Sequence, residues 1–313
     1  MNKYPTFQLL VFVVSIGLLL SFPTAPAHAA NCDGLPATSG ALAAGTYTLT
    51  DNCVITGTFN ITSGTVTING GGFAIDRGGS YRTFYVMSGA TLELNNVTVR
   101  NGITSFSGGA IFNNFGGTVT ISNSTLSGNS ATDYGGAIYN AGMVTINNST
   151  LSGNSAGFGG AIYNFGTVTI SNSTLSGNSA TTQGGAIYNG VTVDLTNTII
   201  SANTAPSGGN CNNSGTITDN GGNLEDANDC GLSSGANTDP LLGAFNGSYY
   251  PLQAGSPAID AAPTCPLSTD QIGTPRPQGS ACDIGAIEYT TNPAFIPAPP
   301  ACNLIEDVVA PDL

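Results

Sequence analysis

The stretch GGAIYNAGMVTINNSTLSGNSA, Gly135–Ala156, contains one complete copy of the unit that decides the fold of this chain. The hexapeptide GGAIYN returns at Gly159–Asn164 and Gly184–Asn189, and GGAIFN occupies Gly108–Asn113. These copies start 24–27 residues apart, and a second block, TVTISNSTLSGNSA or a variant of it, keeps step with them. Self-similarity at such a period is the signature of a solenoid whose repeats stack on their neighbours.

Within each unit, apolar and polar residues alternate in short runs that Gly, Asn and Ser interrupt. Val119 and Ile121 alternate with Thr118 and Thr120, and this period of two indicates strands rather than helices. Each unit has three such runs, AIY, VTI and TLS. We therefore predict an all-β, right-handed, single-stranded parallel β-helix with three-strand coils of about 24–27 residues and capped ends, in which equivalent residues stack in columns about 4.8 Å apart.

Stacking also predicts two structural asparagine ladders, because an Asn amide can hydrogen-bond to the same amide one coil away and Asn tolerates a left-handed backbone. The ladder at one turn comprises Asn123, Asn148, Asn172 and Asn197, with Asn96 upstream. The ladder at the other turn comprises Asn129, Asn154, Asn178 and Asn203. The paired glycines before each AIY run predict a sharp corner that needs positive φ or close backbone approach.

The first residues predict an export signal rather than a part of the fold. Lys3 precedes the apolar run Leu9–Phe22, and Ala27–Ala29 fits the small-x-small cleavage rule, so residues 1–29 are predicted to be a removed signal peptide. An uncleaved anchor is the alternative. We assign residues 30–235 to the β-helix with its N-terminal cap, 236–289 to a C-terminal capping block and 290–313 to a proline-rich flexible tail. The prediction is a secreted or cell-surface protein with no integral membrane span after cleavage.

Composition limits the partners and the chemistry of the mature chain. Lys3 is the only lysine and His28 the only histidine, so the mature chain keeps only arginines as cations, against 18 acids. Such a chain cannot neutralise a row of phosphates, which makes nucleic acid and anionic membranes poor partners. The sequence Gly153–Gly157 matches G-x-S-x-G, but a nucleophile elbow needs a strand-to-helix turn and a histidine.

Seven cysteines in an exported chain are compatible with disulfides. Sequence neighbours give the simplest pairing, and other connectivities stay open. The candidate pairs are Cys32–Cys53, Cys211–Cys230 and Cys265–Cys282, with Cys302 left over. The sequence contains no C-x-x-C pair, the spacing that would favour a zinc site. We predict no metal and no cofactor. Calcium is the alternative for one acidic loop, which holds Asp219, Glu225, Asp226 and Asp229.

An enzyme is the alternative to a binding or structural module, because many parallel β-helices are polysaccharide lyases or glycoside hydrolases of the pectate-lyase-like class. The central coils carry only Asp133 and Asp194, at different positions of their units. The best catalytic candidates lie in the early coils, where a surface ion-pair network is the interpretation that we favour over catalysis. They are Asp76, Arg77, Arg82, Glu93 and Arg100. We predict a non-enzymatic protein.

Two outward arrays are candidate binding surfaces. If the Ile of AIY faces the core, its neighbour faces solvent, and rings then recur in every coil as a stripe that could bind extracellular glycans or cell-surface components. This aromatic stripe comprises Phe112, Tyr139, Tyr163 and Tyr188. Self-stacking that stabilises the sheet is the alternative. The second array is a Thr-x-Thr face that could match ice or could simply suit an exposed strand.

The pairing of GGAI with LxxN, as in Leu126–Asn129 and Leu151–Asn154, resembles the repeats of bacterial surface β-helix proteins, including the polymorphic outer-membrane proteins with their GGA-I and FxxN motifs. The C-terminal segments are similar to the region shared by choice-of-anchor Q domain proteins. These segments are DPLLGAF (Asp239–Phe245), GSPAIDA (Gly255–Ala261), TDQIGTPRP (Thr269–Pro277) and CDIGAIEY (Cys282–Tyr289). The resemblance implies an exported parallel β-helix closed by this block, acting as a structural or adhesin-like module without an assigned activity.

Overall fold

The structure, a computed structural model, describes residues 35–36, 40–79 and 81–291. The predicted signal peptide, Cys32, Cys302 and nearly all of the predicted tail lie outside these residues. Every regular element within the described residues is a β-strand. No helix in this part of the chain is long and apolar enough to cross a membrane.

The strands, numbered in chain order, form three parallel sheets, and each coil of the chain passes through the three sheets in turn. The first sheet comprises β1 (Gly40–Leu42), β4 (Phe59–Ile61), β7 (Phe84–Val86), β10 (Ile111–Asn113), β14 (Ile138–Asn140), β18 (Ile162–Asn164), β22 (Ile187–Asn189) and β25 (Cys211–Asn213). The second comprises β2 (Gly45–Thr48), β5 (Gly64–Asn69), β8 (Ala90–Asn95), β11 (Thr118–Ser122), β15 (Met143–Asn147), β19 (Thr167–Ser171), β23 (Thr192–Thr196) and β26 (Thr216–Asp219).

The third sheet has a main row and a side branch. The main row comprises β3 (Cys53–Val54), β6 (Ala74–Gly79), β9 (Thr98–Thr104), β12 (Thr125–Ser127), β16 (Thr150–Ser152), β20 (Thr174–Ser176), β24 (Ile199–Ser201) and β27 (Leu224–Glu225). The branch that pairs with β9 comprises β13 (Ser130–Ala131), β17 (Ser155–Phe158) and β21 (Ser179–Gln183).

The core lies between the three sheets and is built from columns of apolar side chains. Neighbouring coils pair in register, so Val144 lies beside Val168, and both side chains are buried. One continuous hydrophobic cluster extends from Leu35 to Leu232. Burying an aliphatic side chain contributes about 1.5–3 kcal/mol relative to leaving it exposed, so these columns drive the winding of the chain. The predicted all-β parallel β-helix is confirmed.

The paired glycines form the corner that leads into the first sheet. Gly135 has a φ of 65°, in the left-handed region that glycine adopts without steric cost. A Cβ on Gly136 would lie 2.2 Å from the carbonyl oxygen of Gly160, so the next coil leaves no room for a side chain. The first glycine is needed for its backbone angle and the second for the space it leaves.

The last coil closes the C-terminal end of the core. Glu225 takes the inward position that Ile200 holds one coil earlier, and its carboxylate accepts a hydrogen bond from the backbone N–H of Cys230. Leu232 and the Cys211–Cys230 disulfide pack on the same end of the core. Burial raises the pKa of Glu225 to about 7. The inward carboxylate of Glu225 thus ends a column of aliphatic side chains, and it hydrogen-bonds to the turn that covers this end of the column.

The second disulfide found in the structure, Cys265–Cys282, lies within the C-terminal block. Cys53 is buried and disulfide-bonded, and its predicted partner Cys32 lies outside the described residues.

The C-terminal block, residues 236–289, covers a side of the solenoid and not its end. Gln271 hydrogen-bonds to Thr125 and Thr150, and Tyr250 donates to the carbonyl oxygen of Ser176, so the block lies across the outer face of the third sheet. The predicted placement of the block as an end cap is therefore wrong. The hydroxyl-bearing outer positions of the TLS strands offer partners for its polar groups, and the turn after β27 already closes the end.

Candidate functional site

The outer face of the first sheet carries a column of stacked rings. We define this aromatic ladder as Tyr85, Phe112, Tyr139, Tyr163 and Tyr188. Each ring takes the middle position of a three-residue strand whose flanking side chains are buried. Ring centroids of neighbouring coils lie 4.5–5.6 Å apart, and their planes differ by 1–15°. The four rings of the predicted stripe thus stand together, joined by Tyr85, which sequence reasoning missed because its coil lacks the GGAIY motif.

Further rings widen the ladder on both sides. Phe165 stacks on Tyr163 with centroids 5.1 Å apart, and Tyr134 lies 4.5 Å from the same ring. Phe158 meets Tyr188 edge-on at 5.8 Å. Tyr134 and Phe165 are 37% and 49% exposed. Contiguous apolar surface of this kind is typical of interaction sites, so the first sheet carries the best candidate binding surface of the described residues.

Ring orientation decides how this surface could bind a ligand. Each inner ring of the ladder stacks on a neighbour on both sides, so the ladder presents ring edges and phenol hydroxyls to solvent. The hydroxyls of its four tyrosines donate no hydrogen bond to any residue that the structure describes. Burial, followed by the neighbouring tyrosines, raises the pKa of Tyr163 to about 12, so its hydroxyl remains a donor at neutral pH. The geometry favours hydrogen bonding over stacking of a ligand on a ring face.

A guanidinium group stands at the N-terminal part of the ladder. The Cζ atom of Arg82 lies 4.8 Å from the ring centroid of Phe112 and 5.5 Å from that of Tyr85. Burial lowers the pKa of Arg82, and Tyr85 acts in the opposite direction, but an arginine keeps its charge at neutral pH. The cation–π contact therefore places a fixed positive charge beside the aromatic surface.

The inward asparagine ladder is a continuous chain of amide hydrogen bonds that lies in the interior. Each Nδ2 donates to the next Oδ1 at 2.9–3.0 Å. The donors follow one another as Asn129, Asn154, Asn178 and Asn203, and Asn203 donates to Asn210. Asn210 donates in turn to the carboxylate of Asp226 at 2.8 Å. These side chains have no access to a ligand, and they tie each coil to the next.

The asparagine ladder at the other turn is less complete. Its members have φ values of 46–51°, as expected for the left-handed backbone. Asn148 donates to Asn123 and Asn197 to Asn172, but Asn148 also donates to the carbonyl oxygen of Thr269 in the C-terminal block. The ladder is interrupted between Asn172 and Asn148, since the Nδ2 of Asn172 has no hydrogen-bond partner among the described residues.

A third ladder escaped the sequence reasoning. It comprises Asn113, Asn140, Asn164, Asn189 and Asn213, joined by Nδ2–Oδ1 hydrogen bonds of 2.8–2.9 Å. The repeated Asn at the end of GGAIYN is the sequence signal for this ladder. This ladder lies directly beneath the turn that joins the first and second sheets.

The acids considered for calcium form hydrogen bonds within the last coils. Asp226 accepts from Asn210, and Asp219 accepts from Asn223 at 2.6 Å. The carboxylate of Glu225 accepts a hydrogen bond from the backbone N–H of Cys230. Within the residues that the structure describes, no group of three or more His, Cys, Asp or Glu is placed to hold a metal ion.

The charged residues of the early coils lie on different faces. Arg100 and Asp76 form an ion pair of 2.6 Å on the third sheet, with side chains 30% and 21% exposed. Glu93 belongs to the second sheet, Arg77 is buried and Arg82 lies beside the first sheet. These five residues form no convergent acid–base group. The Thr-x-Thr columns of the second sheet are interrupted where Met143 and Asp194 replace threonine.

A buried charged network lies within the C-terminal block. Arg276 Nη1 donates to Glu288 Oε1 at 2.7 Å, with both side chains at most 1% exposed, and Nη2 reaches Asn148 of the solenoid at 3.4 Å. Burial raises the pKa of Asp270, and it raises the pKa of Asp283 to about 6. The segments TDQIGTPRP and CDIGAIEY supply these residues, so they organise the block against the third sheet.

Comparison with known proteins locates the similarity in the central coils. Residues 123–141, 148–164 and 172–190 match the family described as Chlamydia polymorphic membrane protein (Chlamydia_PMP) repeat. Curated proteins and solved structures gave no match. The repeats and the parallel β-helix together fit a repeat protein similar to polymorphic membrane proteins. The resemblance of the C-terminal block to choice-of-anchor Q domain proteins stays a prediction.

Proposed function

We propose that the protein is an exported, non-enzymatic β-helix that acts at the cell surface or in the medium as an adhesin-like module, with the aromatic face of the first sheet as its contact surface. Extracellular glycans are the proposed partners. The observation that carries this proposal is a difference in burial between two outer faces. The outer face of the third sheet is buried by the C-terminal block, whereas the rings of the first sheet remain partly exposed. The similarity to polymorphic membrane protein repeats and the disulfides support a location outside the cell.

A glycan array tests the proposed contact surface. The wild-type protein is compared with the triple variant Tyr139→Ala, Tyr163→Ala, Tyr188→Ala and with the control Thr120→Ala, Thr145→Ala, Thr169→Ala on the second sheet. We expect bound glycans to be lost only from the tyrosine variant. Binding that survives in a folded tyrosine variant would remove the aromatic face from the proposal.

An activity assay addresses the enzymatic alternative. Purified protein is incubated with a panel of acidic polysaccharides, with and without calcium, and chain length is followed. We expect no depolymerisation. Cleavage that disappears in Asp76→Ala or Arg100→Ala would instead establish a lyase or hydrolase centred on that ion pair.

A further inference from the structure

We infer that the aromatic face selects anionic glycans, with a sugar carboxylate bound at Arg82 and sugar hydroxyls bound along the tyrosine hydroxyls of the ladder. This inference rests on the proposed function and specifies the ligand class. It is carried by three features of the first sheet: its charge, its unpaired hydrogen-bond donors and its repeat distance.

Charge distinguishes the first sheet from the rest of a chain whose net charge is −13. The outward column of this sheet contains no carboxylate among the described residues, whereas Glu93 and Asp194 stand in the outward column of the second sheet. An anionic ligand would be repelled by most of the surface. The outward column of the first sheet combines an absence of carboxylates with a neighbouring guanidinium, Arg82, and an exposed carboxylate, that of Asp133, precedes Tyr134 in the chain.

Arg82 differs from the other arginines in its partners. Arg77 is buried, Arg100 pairs with Asp76 and Arg276 pairs with Glu288. Arg82 forms no ion pair and donates no side-chain hydrogen bond to any residue within the described ranges, and its side chain is half-buried. A guanidinium presents a planar fork of N–H donors that matches a carboxylate. The aromatic rings hold this fork in place without using its donors.

The ladder supplies donors at a regular distance. Tyrosine rings of neighbouring coils lie 4.9–5.6 Å apart by centroid, a distance of the same order as one sugar residue of a polysaccharide. A peptide strand along the same axis would present equivalent side chains about every 6.6 Å, so it would fall out of step with the hydroxyls. Because the ring faces are occupied by stacking, the hydroxyls are the groups that a ligand can use.

Two variants separate the charge from the hydroxyls. Arg82→Gln removes the charge, and its control, Arg100→Gln, removes a charge from the third sheet. The triple variant Tyr139→Phe, Tyr163→Phe, Tyr188→Phe removes hydroxyls while keeping the rings, a change that Phe112 already shows to be compatible with the column. Its control is Thr120→Val, Thr145→Val, Thr169→Val on the second sheet. Matching thermal unfolding of all variants verifies that they are folded.

Calorimetric titration at pH 7 uses oligogalacturonate, its methyl ester and polyglutamate as probes. We expect the acid form to bind at least about tenfold more tightly than the ester, in keeping with a hydrogen bond to a charged group. Arg82→Gln should remove that preference, the phenylalanine variant should weaken both sugars, and both controls should match the wild type.

Three outcomes would overturn the inference in distinguishable ways. Equal binding of acid and ester, unaffected by Arg82→Gln, would leave glycan binding in place and remove the selection of anions. Polyglutamate binding as tightly as oligogalacturonate would show that the face accepts any extended polyanion, and the glycan assignment would fall. Absence of binding to both sugars, together with an empty glycan array, would remove the proposed function as well.

Discussion

The outer faces of the first and third sheets come from the same coils but differ in size, polarity and cover. On the third sheet the outward residues are Thr125, Thr150 and Thr174, which are buried beneath the C-terminal block. On the first sheet the outward residues are rings such as Tyr139 and Tyr163, which stay half-buried. The outer face of the third sheet, which we call the covered face, has short side chains with hydrogen-bond partners. The outer face of the first sheet, which we call the open face, has large side chains whose hydroxyls have no partner among the described residues.

This difference shows how a single repeat can carry two kinds of recognition. Hydroxyls on the third sheet are satisfied by the chain itself, because buried polar groups need partners. Hydroxyls of the aromatic ladder on the first sheet have no hydrogen-bond partner among the described residues. The first sheet is therefore the face on which an external partner can form the most new hydrogen bonds.

The largest effect is expected from removing the buried cation of the C-terminal block. Arg276→Met leaves the Glu288 carboxylate buried without its partner, which should lower the free energy of unfolding by about 3–5 kcal/mol. Arg100→Gln breaks a partly exposed ion pair and should cost less than about 1 kcal/mol. Urea denaturation measures both variants. Similar losses in the two variants would contradict the description of Arg276–Glu288 as a buried ion pair on which the C-terminal block depends.

The pH dependence of stability between pH 4 and 7 should come from the C-terminal block rather than from the aromatic ladder. Burial raises the pKa of Asp283 to about 6, above the value of about 3.9 for an unfolded Asp. Between these pH values the folded protein holds a proton that the unfolded chain has released, so the free energy of unfolding should fall as pH rises through this window. Tyr163, with its pKa near 12, contributes nothing there. Unfolding midpoints at pH 4–7 for wild type and Asp283→Asn measure the effect, and an equal slope in the variant would contradict it.

A single hydroxyl should contribute more to the free energy of unfolding on the covered face than on an exposed face. Thr150 donates to Gln271 Oε1 at 2.6 Å, so Thr150→Val leaves a buried acceptor without a partner and should cost about 1–3 kcal/mol. Hydrogen exchange should also rise in the C-terminal block. The comparison variant is Thr145→Val on the second sheet, whose hydroxyl has no partner within the described part of the chain. A loss no larger than that of Thr145→Val would show that the hydrogen bond contributes nothing to docking.

The smallest effect is expected from the corresponding change on the open face. Tyr163→Phe keeps the ring in the ladder and removes a hydroxyl that bonds to no described residue, so stability should stay within about 0.5 kcal/mol of the wild type. Thermal unfolding measures it. A loss comparable to that of Thr150→Val would indicate that the hydroxyl has a structural partner, and the contrast between the faces would then fail.

The repeat made the coils predictable from sequence, because period-two alternation and recurring glycines constrain every coil in the same way. Val144 and Gly136 have the environments expected of them for this reason. The C-terminal block occurs once, so no periodicity indicates where it docks, and its placement depends on side-chain partners such as Gln271 and Thr150. Sequence also could not decide how the rings of the ladder face each other, because that depends on rotamers and on the register between coils.

The lateral docking of the C-terminal block constrains the number of coils between its two outermost contact points. A coil contacts only its two neighbours, so a β-helix can gain or lose whole coils without disturbing its core. Here the block bonds to Thr125 at one end and, through the backbone N–H of Gly285, to Asn197 at the other. An extra coil between these points would displace one set of contacts by about 4.8 Å. The block thus constrains how many coils separate Phe112 from Tyr188, which lie on the first sheet in the coils that the two contact points belong to.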